Sequence, residues 1–131
     1  MIVDLTDKTE SGWFDLEGGG RVQLRLLDIT DIRDMRKACL KTVPEYPKID
    51  GKYQRFEGQE FDGDLWNEML WDRTIIGWEG IFDRNEKPIP VTKENKALLM
   101  MRAPEFVRVY EEGIKALKAA EEVRAEAAEK N

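Results

Sequence analysis

Three consecutive glycines, Gly18-Gly19-Gly20, separate two stretches in which apolar and polar residues alternate. Before them Phe14 and Leu16 alternate with Asp15 and Glu17; after them Val22, Leu24 and Leu26 alternate with Gln23 and Arg25. Period-two alternation gives a strand one buried face, and stretches this close in sequence can only be joined by a tight reversal. Glycine supplies the positive φ that short hairpin turns demand. A β-hairpin near the N-terminus is thus the fixed point around which the remaining chain folds. A phosphate-binding loop does not fit the same glycines, because no Gly-Lys-Ser/Thr follows and the next segment reads as a strand.

The period changes at Asp28. Ile29, Ile32, Met35, Cys39 and Leu40 recur at three- and four-residue steps, with Asp28 or Thr30 available as N-cap and Lys37 and Lys41 in the last turns. That arrangement predicts an amphipathic helix, correctly oriented for its macrodipole, that ends before Pro44. Residues 44–63 hold Pro44, Pro47, Gly51, Gly58 and Gly63 and read as a long loop, with Tyr46, Tyr53, Phe56 and Phe61 as aromatic anchors for its own domain or for a partner. A second helix is predicted over 64–78. At 100° per residue Leu65, Trp66, Met69, Leu70 and Ile76 share one face, while Trp71, Ile75 and Trp78 fall opposite. Two readings follow: a central helix sandwiched between the hairpin and the C-terminal helices, or a helix whose second face meets a subunit or partner, as buried aromatics do at interfaces. The candidate interface residues are Trp71, Ile75, Trp78, Tyr46, Tyr53 and Phe56.

Residues 83–94 imitate a calcium loop. Asp83, Asn85 and Glu94 occupy positions 1, 3 and 12 of an EF-hand count. Position 5 is Lys87, a cation where an oxygen ligand belongs, and position 6 is Pro88, whose fixed φ forbids the turn glycine makes there. A connector explains the segment better: a polar turn over Asp83–Lys87, Ile89 held extended between Pro88 and Pro90, and Thr92 capping a short helix with Glu94 in its first turn. Pro104 then opens a final helix with an apolar stripe of Phe106, Val107, Tyr110, Ile114 and Leu117. From Ala119 onward bulky residues thin out. The predicted organisation is a flexible arm at 1–12, a single α+β domain at 13–118, and a solvated helical extension at 119–131. The domain is mostly helical, a β-hairpin packed on three or four helices.

Composition restricts the chemistry. Histidine is absent, which removes Ser–His and Cys–His nucleophile systems and imidazole metal ligands. Acid–base work would fall to carboxylates, lysine or tyrosine, and a carboxylate hydrolase would require an acidic cleft with a raised-pKa Asp or Glu. The net charge of −6 argues against a nucleic-acid footprint. No run approaches the ~18 apolar residues of a membrane span, and the N-terminus lacks the pattern of a signal peptide. The single cysteine, Cys39, is expected to be a buried free thiol. These features together predict a cytoplasmic, non-enzymatic protein with no cofactor, no metal, no nucleic acid and no membrane partner.

The hairpin, the tryptophan-bearing helix and the run Trp78, Gly80, Ile81, Asp83, Pro88, Ile89, Pro90, Thr92, Glu94 and Asn95, followed by Leu98 and Leu99, resemble the tail assembly chaperones of long-tailed bacteriophages and prophages. The resemblance covers roughly residues 13–112. Glu86-Lys87 stands where a turn glycine is more usual in that family, and the 44–63 segment has no counterpart. The resemblance implies a protein that binds the tape measure protein, keeps its long apolar helices soluble and helps recruit the tail tube protein in the bacterial host cytoplasm. It also leaves open a structural minor tail or tail completion protein retained in the virion. Self-association as a homo-oligomer is expected from the second apolar face of the tryptophan helix.

Overall fold

The computed structural model describes residues 10–130. The hairpin forms as read: β1 (Ser11–Asp15) pairs antiparallel with β2 (Arg21–Arg25), Phe14 opposite Val22. Leu16 N–H donates to the Gly20 carbonyl at 2.7 Å and closes the turn. Gly18 and Gly19 take positive φ, whereas Gly20 serves a different need. A Cβ on Gly20 would stand 2.9 Å from the Gly80 carbonyl oxygen, so two turns distant in sequence touch at their backbones. Strand β1 begins at Ser11, inside the stretch expected to be a flexible arm; residues 1–9 of that arm lie outside the described residues.

Helix α1 (Ile29–Cys39) starts on a reciprocal cap, Asp31 N–H to Asp28 Oδ1 at 2.8 Å and Asp28 N–H to Asp31 Oδ2 at 3.0 Å. Ile29, at the first position, is exposed; Met35 and Cys39 face inward, and the thiol is buried and free. The segment expected to be a loop is instead an ordered two-stranded ribbon. β3 (Leu40–Glu45) pairs with β6 (Phe56–Phe61), and β4 (Lys48–Ile49) with β5 (Lys52–Tyr53) at the tip. The tip turns on Asp50-Gly51, both at positive φ.

Helix α2 (Gly63–Thr74) is shorter than the predicted 64–78. Asp62 caps it through Leu65 N–H, and after Thr74 the chain enters β7 (Ile75–Glu79). β7 pairs antiparallel with β2 to complete a three-stranded sheet in the order β1-β2-β7. Gln23 pairs with Gly77 and Leu24 with Ile75, which leaves Ile76 as a bulge. The bulge restores Ile75 and Trp78 to the same side of the strand, and both are buried.

Helix α3 (Lys93–Arg102) follows a cap from Thr92 to Asn95 N–H, and α4 (Pro104–Lys130) begins on Pro104 as expected. α4 crosses the inner face of the sheet at Gly113, where a Cβ would meet Leu24 Cδ1 at 2.7 Å and Phe14 at 3.0 Å. The missing side chain lets helix and sheet approach closely. The core is Val22, Leu24, Leu26, Ile75 and Trp78 from the sheet against Phe106, Val109, Tyr110 and Leu117 from α4. Beyond it, residues 118–127 of α4 are exposed. The result is an α+β, mostly helical fold.

Candidate functional site

The six candidate interface residues divide into two groups that cannot form one accessible surface. Ile75 and Trp78 are core residues, 0% and 7% exposed, and are withdrawn as surface anchors. Trp78 stacks edge-on against Phe106, ring centroids 6.0 Å apart, and its indole N–H donates to the Ile89 carbonyl at 2.8 Å. Trp71, on α2, is half-buried and packs against the same core. The second apolar face of a long helix therefore does not exist: its residues belong to a helix end and a bulged strand. Tyr46, Tyr53 and Phe56 behave otherwise. All three stand on the ribbon and are 58%, 74% and 45% exposed, joined by Ile49 at the tip and Phe61 at the base.

The ribbon is held only at its base among the described residues. Asp62 N–H donates to the Cys39 carbonyl at 2.9 Å, and Phe61 lies 5.7 Å from the Trp66 ring. Along β3 and β6 no side chain is buried. Charge is segregated along this arm. The tip between Tyr46 and Phe56 carries Lys48, Lys52 and Arg55 against Asp50 alone, in a chain of net charge −6. From Glu57 to Glu68 the carboxylates Glu57, Glu60, Asp62, Asp64 and Glu68 stand without a lysine or arginine. A shallow depression of about 450 Å³ opens at the base between Lys41, Glu60, Phe61 and Asp62–Asp64. A second, of about 360 Å³, lies at the α3–α4 corner and includes Met100, Met101 and Val107. The sequence reading did not single it out, although the adjacent methionines before Pro104 mark an apolar helix end.

Most of the residues that carry the sequence resemblance have a scaffold role. Gly80, at positive φ, is the other half of the Gly20 contact. Asp83 Oδ1 accepts from Asn85 and Lys87 N–H at 2.8 and 3.1 Å, forming the turn read from the sequence. Ile89 N–H donates to the Ile81 carbonyl, and the Asn95 amide donates to the Pro90 carbonyl at 2.9 Å. With the Trp78 indole and the Thr92 cap, the run is a clasp that fastens β7 to α3.

Electrostatics serve the scaffold as well. Asp31 accepts from Arg25 at 2.8 Å and Arg73 at 3.2 Å, tying β2, α1 and α2 together. The Arg25 guanidinium, helped by the Asp28 N–H and Arg73, holds its carboxyl at about 2. Arg21 lowers Glu79, and Arg108 lowers Glu105. Lys96 is buried with its ammonium on the Asp72 carbonyl and carboxylate, at 2.9 and 3.1 Å. Burial pushes the Tyr110 phenol up, and its hydroxyl shares a 2.9 Å hydrogen bond with Thr74. Carboxylates held down by arginine stay ionised, and those of Asp31 and Glu79 join separate elements; they are poor proton donors near neutrality. Among the described residues no group of three or more Cys, Asp or Glu converges on a metal-sized site, and no helix is long and apolar enough to cross a membrane. Comparison with protein-family models, curated proteins and solved structures returns no match to this chain.

Proposed function

We propose that this protein is a non-enzymatic tail assembly chaperone of a phage or prophage, which binds the tape measure protein and assists tail tube assembly in the host cytoplasm. The observation that carries the reading is the ribbon, which displays Tyr46, Ile49, Tyr53 and Phe56 to solvent on an arm held, among the described residues, at its base. Tyrosine and phenylalanine offer large contact area at small entropic cost, and such side chains anchor protein interfaces. An arm of this kind can grip an apolar helix without drawing on the protein's own core. The resemblance of 78–95 to tail assembly chaperones supplies the class of partner. Because that run is a clasp between β7 and α3, it supports a shared scaffold and leaves partner contact to the ribbon.

Co-expression with the tape measure protein tests the reading. Wild-type protein is expected to keep the tape measure protein soluble and to co-purify with it. The triple variant Tyr46→Ser, Tyr53→Ser, Phe56→Ser should fold normally and lose both effects. A tape measure protein that stays insoluble with wild type, with nothing co-purifying, overturns the proposal. Mass spectrometry of purified virions separates the alternative: a chaperone is absent, whereas a minor tail or tail completion protein is present in stoichiometric amount.

A further inference from the structure

The two edges of the ribbon are not equivalent. In an antiparallel pair, residues alternate between those that bond across the ladder and those whose N–H and C=O point outward. The Asp62-to-Cys39 bond fixes the phase, so Lys41, Val43 and Glu45 bond to Glu60, Gly58 and Phe56. Leu40, Thr42 and Pro44 then point their main-chain groups away on the β3 side, and Glu57, Gln59 and Phe61 on the β6 side. Pro44 has no N–H to offer, and proline at such a position is a recurrent guard against strand addition. The β6 edge has no proline, and every outward N–H is present; its own charges are Glu57 and Glu60. Its neighbouring charges are also ordered: Arg55 and Lys52 lie beyond one end, and Asp62 and Asp64 beyond the other.

We propose that β6 is a dimer edge, at which two copies of this chain pair antiparallel about a two-fold axis at Gln59. Two two-stranded ribbons thereby become one four-stranded sheet in the order β3-β6-β6-β3. Gln59 faces Gln59 of the second copy, and Glu57 faces its Phe61. Just beyond the paired strands, Arg55 comes towards Asp62 and Asp64 of the second copy, beside the 450 Å³ depression that Lys41 also lines. Each basic tip thus lies over an acidic base, twice by symmetry. A second copy suits this edge because the complementary charges lie at the two ends of the same strand. An isolated two-stranded hairpin is marginal in water, and pairing the edges adds ladder bonds to both ribbons. Edge pairing leaves both faces of the ribbon open, so the inference does not rest on the proposed function.

Sedimentation velocity of the full chain is the test. Wild type is expected to be a dimer that weakens as salt rises. Gln59→Pro removes an outward N–H without touching a bond to β3, as Pro44 does on the other strand, and should give a monomer with unchanged circular dichroism. Arg55→Glu should weaken the dimer by roughly tenfold or more, since it sets like charges against Asp62 and Asp64. Adding Asp64→Arg to Arg55→Glu should restore it. A wild-type monomer at ~100 µM overturns the proposal, because any association would then be weaker than about −5.5 kcal/mol. So does a Gln59→Pro variant that folds and still dimerises. If Gln59→Pro misfolds, the charge pair decides: failure of the double variant to regain the dimer refutes the pairing.

Discussion

The sheet beneath α4 and the ribbon from Leu40 to Phe61 are both antiparallel β-structure, yet they are held by opposite means. In the sheet, Val22, Leu24 and Ile75 are wholly buried, and Phe106, Val109 and Tyr110 of α4 seal them. In the ribbon no strand residue is buried, and ladder bonds and a tight Asp50-Gly51 turn do the holding. The buried core therefore lies against the sheet, while the ribbon holds its aromatic side chains in solvent. A protein arranged this way can change its projecting arm without changing its core.

Substitutions rank this contrast by size. Leu24→Ala empties the contact between sheet and Gly113 of α4 and should cost about 2–5 kcal/mol in urea unfolding. Thr74→Val leaves the buried Tyr110 hydroxyl without its partner and should cost about 1–3 kcal/mol in the same measurement. Asp31→Asn should cost about 1–2 kcal/mol at neutral pH by weakening bonds to Arg25 and Arg73. Its sign with pH is fixed: the folded pKa is depressed from 3.8 to about 2, so the contribution is complete above 3.8 and is lost as pH falls towards 2. The variant should show a flatter acid limb over that window in acid titration. Tyr53→Ala, at an exposed tip, should shift stability by no more than about 0.5 kcal/mol while weakening partner capture. If Tyr53→Ala matched Leu24→Ala, the two regions would not be energetically distinct.

The same contrast governs what the sequence disclosed. Strands β1 and β2 were legible because one face is buried and the alternation records it. The strands of the ribbon bury neither face, so Leu40–Glu45 and Phe56–Phe61 carry no alternation, and Pro44 and Pro47 read as loop. Asp50-Gly51 was the one local signal for a hairpin there. Strand β7 was hidden for a different reason. Residues three apart share a side in a helix, and the bulge at Ile76 gives Ile75 and Trp78 the same relation in a strand. The caps at Asp28 and Thr92 and the start of α4 at Pro104 were readable because their chemistry is local. In the candidate site, Tyr46, Tyr53 and Phe56 stand exposed on the ribbon, whereas the burial of Ile75 and Trp78 needed the sheet to be known first.

The bond from Asp62 to Cys39 also bears on how quickly this chain can reach its native state. Pairing β2 with β7 must bring Leu24 to Ile75, and both α1 and the ribbon intervene. A hairpin closes in about 1–10 µs, well before pairing across so long a span is expected. Once the ribbon has zipped from its Asp50-Gly51 turn, its ends coincide, and the closure that remains involves little more than α1 and α2. The saving is modest, of the order of half a kcal/mol in closure entropy. It is enough to make Gly51→Val, which strains the turn, slow refolding by about twofold while leaving the unfolding rate nearly unchanged. The arm would then be a shortcut in time as well as a projection in space.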